Sequence, residues 1–293
     1  MSELAGTVAT RSPARTGSRL GRSILHGILF LALVAGSVLM IGPFIWMVST
    51  SLKADGDVLV YPPTWIPAPA EWGNYLKVLV LLPFGRYLIN TTVVTISVTF
   101  LEVLTSSLAA YSFARLNFPG RDRLFLIYLG TLMVPGQVTI IPNFLLISVF
   151  GWVDSYFALI IPAAFTAFGT FLLRQFFLSI PPELEQAARI DGCGYFGIYR
   201  HIILPLSGPA LATLTIFSFM AQWNSFLWPL IVTNSDNVRT LTVGLSYFQD
   251  EYATQFNYMM AGAVLNVIPI LIVFLALQRY FVRGIALTGI TGR

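Results

Sequence analysis

Pro181-Pro182-Glu183-Leu184-Glu185-Gln186-Ala187-Ala188-Arg189-Ile190-Asp191-Gly192, running on to Ile203-Leu204-Pro205-Leu206, is the one long, charged, small-residue-rich stretch set between two apolar segments of this chain. The pattern predicts two short helices. Paired prolines suit a helix start, where a missing N–H is no loss, and Glu183 and Glu185 follow in the first turn, where the helix dipole favours anions. Leu184, Ala187, Ala188 and Asp191 share one face at helical spacing, and Gly192 can end the helix in a left-handed conformation. Two adjacent alanines make that face nearly flat, so a partner can approach its backbone closely. The loop around it, about 178–206, has the character of a docking element.

Outward from the loop, composition sets the class. The chain has 293 residues, 56% hydrophobic and only 10% charged, with a mean hydropathy of +0.76. A soluble protein carries about a quarter charged residues. One polytopic membrane domain is expected rather than two soluble ones. The single cysteine, Cys193, excludes an internal disulfide framework.

Six apolar segments are long enough to cross roughly 30 Å of hydrocarbon at about 1.5 Å per residue. They run approximately Ile24–Val48, Tyr87–Tyr111, Leu124–Val149, Tyr156–Phe177, Leu206–Val232 and Met259–Phe281. With the N-terminus inside, the inner segments hold Arg11, Arg15, Arg19, Arg22, Arg115, Arg121, Arg123, Arg174, Arg189, Arg200, Arg279, Arg283 and Arg293. The outer loops hold only Lys53, Lys77, Arg86 and Arg239, so 13 of the 17 basic residues fall on one side. That asymmetry predicts both termini inside, with the docking loop between the fourth and fifth spans on the same side. An Arg-rich head before an apolar run can be a cleaved signal, but this run is too long and lacks an Ala-x-Ala exit before Gly42-Pro43, so it reads as retained. Residues 1–22 read as a disordered inner tail, and 23–293 as the membrane domain.

Polar residues inside the spans are the candidates for a translocation path. Glu102 is the one acidic residue well inside a span; an intramembrane carboxylate is costly and marks a functional site, or else faces the bundle protonated or paired with a serine or backbone group of a neighbouring helix. Gln137 and Asn143 stand beside Pro135 and Pro142, where a kink is expected. Gln222-Trp223-Asn224 is a polar–aromatic–polar triplet close before Trp228-Pro229, and Asn90 and Asn266 complete the set. Amides and indoles lining a watery path suit sugar hydroxyls, while the same groups serve equally as helix–helix hydrogen bonds.

Catalytic chemistry is nearly absent. His26 and His201 stand far apart, and neither a nucleophile elbow, a His-Glu-x-x-His motif nor metal-spaced aspartates occur, so no catalytic or metal residues are expected. No phosphate-binding Gly-x-x-x-x-Gly-Lys loop is present, so the chain itself holds no ATP in that way. Nothing beyond the arginine tail suggests nucleic acid. A membrane enzyme would need clustered titratable groups, and none cluster. An ion-coupled secondary transporter would have to rely on Glu102.

The stretch Glu185-Gln186-Ala187-Ala188-Arg189-Ile190-Asp191-Gly192 through Leu204-Pro205-Leu206 resembles the EAA loop of ABC-importer permeases, most closely the MalG-like carbohydrate branch. Ala110-Tyr111-Ser112-Phe113-Ala114-Arg115, Phe118-Pro119-Gly120-Arg121, Val134-Pro135-Gly136-Gln137 through Ile141-Pro142, Gln222-Trp223-Asn224 and Gln278-Arg279-Tyr280-Phe281-Val282-Arg283-Gly284 are similar to other blocks of that family. Two departures stand out: Gln186 replaces the motif's glutamate, with Glu185 beside it, and Gly289-Ile290-Thr291-Gly292-Arg293 only loosely matches the family's tail.

The resemblance implies an all-α integral membrane permease that moves a sugar or oligosaccharide by alternating access, with a polyol or glycerol-phosphate ester as the alternative cargo. It implies ATPase coupling through Glu185, Gln186, Ala187, Ala188, Asp191, Gly192 and Pro205. The spans flanking the loop would supply the stiffness that coupling needs. The partners implied are a second permease, two P-loop ATPase subunits carrying the ATP and Mg, and an extracytoplasmic binding protein facing Ser49–Arg86 and Thr233–Tyr258. The expected location is the bilayer of a bacterial cytoplasmic membrane.

Overall fold

A computed structural model describes residues 19–250 and 255–288, which form helices and loops with no strand among them. The helices are α1 (Arg19–Ser51), α2 (Gly73–Leu81), α3 (Phe84–Arg115), α4 (Arg121–Gly130), α5 (Gly136–Val149), α6 (Tyr156–Ile160), α7 (Ala167–Ser179), α8 (Pro182–Ile190), α9 (Tyr195–Ile198), α10 (Leu204–Leu206), α11 (Gly208–Trp223), α12 (Leu227–Val232), α13 (Leu241–Asp250) and α14 (Phe256–Thr288). Five π-helical residues, Tyr199–Ile203, join α9 to α10.

The chain divides between Met47 and Val48 into two compact units. In the first, α1 begins at Arg19, inside the stretch expected to be unstructured; Arg11 and Arg15 lie outside the described residues, as does the 289–293 tail. Pro43 is carried inside α1 without ending it.

In the second unit α3 is the central post. Each of the three buried clusters draws on a different part of it. Phe84 and Tyr87 join Val78, Leu241, Phe248 and Ala261; Val94 and Val98 join Ile147, Leu159 and Val232; Ala110, Tyr111 and Ala114 join Phe177, Ile198 and Leu214. Within its most apolar window 44% of α3 is buried, against 11% for α14, so the apolar face of α14 is left for lipid or another chain while that of α3 is spent inside the protein. Glycines allow the close approaches. A Cβ at Gly244 would stand 2.2 Å from the Tyr87 ring, and one at Gly169 would stand 2.5 Å from Ser106 Oγ.

Among the described residues three helices, within α1, α3 and α14, are long and apolar enough to cross a membrane, and up to five spans result if two bent pairs count as one each. The expected third span is broken rather than kinked. Arg121–Met133 and Gly136–Val149 meet at 98°, because Pro135 holds an extended backbone that ends one helix and starts the next. The expected fourth span is likewise split into α6 and α7, with Pro162 removing the N–H that would extend α6. The expected fifth is split at Asn224–Phe226, and its start lies beyond a 78° bend between Tyr195–Leu206 and α11.

Candidate functional site

The docking loop is built as two faces of α8. The helix starts at Pro182, carries Glu183 and Glu185 in its first turn and stops at Gly192, whose φ of 84° only glycine adopts freely. Cys193 N–H donates to Ala188 O at 2.9 Å and Gly192 N–H to Arg189 O at 3.0 Å, the paired bonds of a Schellman cap. The cap turns the chain sharply into α9.

The inward face is Glu185 and Ala188, 6% and 7% exposed. Ala188 packs into the cluster of Tyr111, Phe177, Ile180 and Tyr199, so it does not share the outer face with Leu184, Ala187 and Asp191 as its spacing suggested. Glu185 Oε1 lies 3.0 Å from Arg115 Nε, an ion pair with both side chains below 10% exposure. Arg115 also donates through Nη2 to the carbonyls of Phe177 and Ile180 at the end of α7. Tyr111 OH donates to Tyr195 O at 3.0 Å, and the hydroxyls of Ser107 and Tyr199 lie 2.7 Å apart. Ser107, Tyr111 and Arg115 are four residues apart and so form one line down α3. They hold the π segment, α9 and α8 in turn. The loop is therefore fixed to α3, and not only to the helices that flank it in sequence.

The outward face is apolar and open. Leu184, Ala187 and Ile190 on α8 are exposed, with Ile190 at 87%, and Tyr195 and Phe196 extend the surface across α9. Gln186, Asp191 and Gly192 are exposed beside it, and Pro205 is exposed at the bend into α11. Arg189 places its guanidinium 5.1 Å from the Tyr195 ring centroid, which braces the corner.

The intramembrane candidates separate into fastened and open groups. Asn90 has its amide fully used: Nδ2 donates to Asn237 O and Arg239 O, and Oδ1 accepts from Tyr156 OH at 2.6 Å. It clamps the segment after α12 onto the end of α3, together with Tyr87 OH donating to Asp236 and Leu241 N–H donating to Thr91 Oγ1. Trp223 Nε1 donates to both oxygens of Asn266, at 2.9 Å to Oδ1 and 3.0 Å to the carbonyl, and so joins α11 to α14. Asn224 donates to Met220 O within its own helix end. Gln137 is exposed and Asn143 half-buried on α5. Glu102 and Gln222 come together: both line a recess of about 390 Å³ between α3, α7 and α11, with Ser218 Oγ donating to Glu102 Oε2 at 2.5 Å.

Sequence reading missed the fastenings. Arg115 stands out only as an inner arginine and as the end of a family-like block, and Ser218 is not singled out, although a serine of a neighbouring helix is one partner to be expected for Glu102. A polar line at positions 107, 111 and 115 of an otherwise apolar helix is the signal that was available.

Outside the spans, Asp154 ties two loops. Its Oδ1 accepts from the N–H groups of Asn234 and Ser235 at 2.8 and 2.9 Å, and its own N–H donates to Val232 O. Partial burial pushes its carboxyl up, but the Ser235 and Asn234 donors and the Arg239 charge outweigh this and hold it below the usual range.

Among the described residues the secondary structure is helical, and several helices are apolar and long enough for a membrane. The family described as binding-protein-dependent transport system inner membrane component matches residues 102–287, and the chain belongs to that family. It is 35% identical over 245 residues to the arabinooligosaccharides transport system permease protein AraQ of Halalkalibacterium halodurans, covering 83% of this chain and 86% of that one. It is 37% identical over 264 residues to the sn-glycerol-3-phosphate transport system permease protein UgpE of Yersinia pestis, covering 87% and 94%. Among solved structures, a bacterial ABC transporter involved in import of the acidic polysaccharide alginate has a chain that superposes with a TM-score of 0.80 at 26% identity, covering 90% of this chain and 98% of that one. The resemblance carried by the EAA-like loop thus holds across the chain.

Proposed function

We propose that this chain is one of two permease halves of an ATP-driven importer, and that its cargo is a sugar or oligosaccharide. The observation that carries the reading is α8. A helix with a clamped, buried inner face and an open apolar outer face is a surface prepared for another protein, since Ile190 gains nothing from standing 87% exposed alone. The outer face of Leu184, Ala187, Ile190, Tyr195 and Phe196, edged by Gln186, Asp191 and Gly192, seats in a cleft of an ATPase subunit that carries the ATP and Mg. Glu185 and Ala188 serve the coupling from behind, by fixing α8 to α3, and Pro205 stands at the bend into α11.

Six crossings follow if α6 with α7 forms the fourth and α11 with α12 the fifth. The basic-residue asymmetry then argues for both termini and the docking loop on the cytoplasmic side. Residues 23–293 act as the membrane domain. A second permease completes the path, and a binding protein delivers cargo to the opposite face, where the clamped 233–241 segment lies. Glycerol-phosphate import is the second reading, because the UgpE relative is as similar as the arabinooligosaccharide one.

The test is capture of the tagged chain from its native membrane in mild detergent. The expected companions are a P-loop ATPase and a second permease, with ATP hydrolysis in the captured fraction. Ala187→Arg should leave the chain folded and remove the ATPase. Recovery of the chain alone after crosslinking, or an undiminished ATPase with Ala187→Arg, would overturn the reading.

A further inference from the structure

We infer that the recess between α3, α7 and α11 is a passage subsite for the hydroxyl groups of a neutral sugar or polyol. Glu102 is its principal acceptor and also the charge that turns anionic cargo away. The inference deepens the import reading and rests on it for the source of the ligand.

Glu102 lies 18 residues into α3, about 27 Å from the helix start at 1.5 Å per residue, so it stands at mid-depth. A carboxylate there belongs beside water or a partner group rather than lipid. It is 8% exposed and opens on a volume of about 390 Å³, within the range of about 300–1,000 Å³ that small-molecule sites occupy. Ser218 Oγ engages Oε2 at 2.5 Å and orients the carboxylate. An ionised carboxylate has acceptor sites for several donors, and Ser218 fills one of them.

The remaining lining has the character of a sugar site. Thr166 and Gln222 offer donors and acceptors on the α7 and α11 walls. Phe168 and Phe217, with ring centroids 6.3 Å apart, give the apolar surface on which the C–H face of a sugar ring rests. A vicinal diol can donate both hydroxyls to one carboxylate while its ring carbons face the phenylalanines. A phosphate or uronate would meet Glu102 with no lysine or arginine in the lining to offset the repulsion. The cargo named for the UgpE relative and for the alginate transporter is anionic, and the cargo named for AraQ is neutral. The recess places this chain on the neutral side of that division.

Ala221 also lines the recess, and Cys193 is the one native cysteine, so the charge can be read directly. The full chain, captured with its companions, would carry Cys193→Ser and Ala221→Cys. Labelling rates are measured with cationic 2-(trimethylammonio)ethyl and anionic 2-sulfonatoethyl methanethiosulfonate, each normalised to a free thiol. The cation should react about tenfold faster. Adding Glu102→Gln should bring the ratio close to one while the complex still elutes intact. Excess D-glucose should slow labelling several-fold, and inorganic phosphate should not. A thiol that neither reagent reaches, a ratio that Glu102→Gln leaves unchanged, or protection by phosphate but not glucose would each overturn the inference. Labelling does not depend on ATP. An importer reading that fails shows instead as a captured fraction without ATPase, whatever the recess does.

Discussion

At the scale of single residues, the ion pair of Glu185 with Arg115 decides what the docking loop can tolerate. Both groups are nearly buried, and Arg115 also donates through Nη2 to two carbonyls at the end of α7. Glu185→Ala would leave a buried, unpaired guanidinium, a loss of about 3–5 kcal/mol for the loop's attachment. The expected result is faster proteolytic cleavage between residues 180 and 195 and a lower melting temperature of the purified chain. Adding Arg115→Met should recover most of both, since an apolar pair carries no stranded charge. Failure of the double variant to recover would mean that the guanidinium's bonds to the carbonyls outweigh the pair. Gly192, by contrast, has open space around it, and its requirement is backbone conformation alone. The sequence made Gly192 and the prolines of α8 readable because capping is local. It hid the inner face, because Glu185 and its partner stand 70 positions apart and the helical period does not say which face meets α3.

Elements show the same division between local and distant causes. Long apolar stretches predicted helices correctly, since hydrophobicity and helix-forming residues act within a few turns. They overstated continuity. The 98° turn at Pro135 and the break at Pro162 are invisible to a hydropathy window, which counts apolar residues without asking whether the backbone can pass through them. Asn90, equally, could be read either as a path residue or as a hydrogen-bonding fastener; the structure gives it a fastening role through loop carbonyls about 150 positions away. Helix contacts also rest on small residues. At Gly244, α13 meets the Tyr87 ring of α3, and that ring is 2% exposed and held through its hydroxyl. Gly244→Ala has no flexible neighbour to displace and should cost about 1–3 kcal/mol by overpacking. A matched Gly136→Ala, with nothing within 4 Å, should be close to neutral in the same thermal-stability measurement.

For the molecule as a whole, the loops at the far ends of the spans behave as one fastened surface. Asp154 bridges the segment after α5 to that after α12, and Tyr87, Asn90 and Thr91 bind the latter to α3. Because the Asp154 carboxyl is held below its usual value, its contribution is complete above about pH 4, the ordinary carboxylate range, and fades as pH falls through the lowered folded value. Hydrogen exchange at Asn234 and Ser235 should therefore stay protected at neutral pH and lose protection only below about pH 4. Asp154→Ala, which removes the Oδ1 acceptor, should lose it at every pH, whereas Asp154→Asn, whose Oδ1 still accepts both N–H groups, should keep it without the acid-side loss. Protection that fell between pH 8 and 5 would assign the bridge to another group.

Arg115 and Asn90 sit near opposite ends of α3, which contains no proline. They are 25 residues apart, about 38 Å at 1.5 Å per residue. A straight body gripped at both ends obeys leverage. A tilt of about 10° around its midpoint would carry each grip roughly 3 Å, in opposite directions, with nothing lost to bending. If α3 tilts as one body, a displacement at its Arg115 end reaches its Asn90 end reversed in sense and similar in size, while Glu102, close to the midpoint, hardly moves.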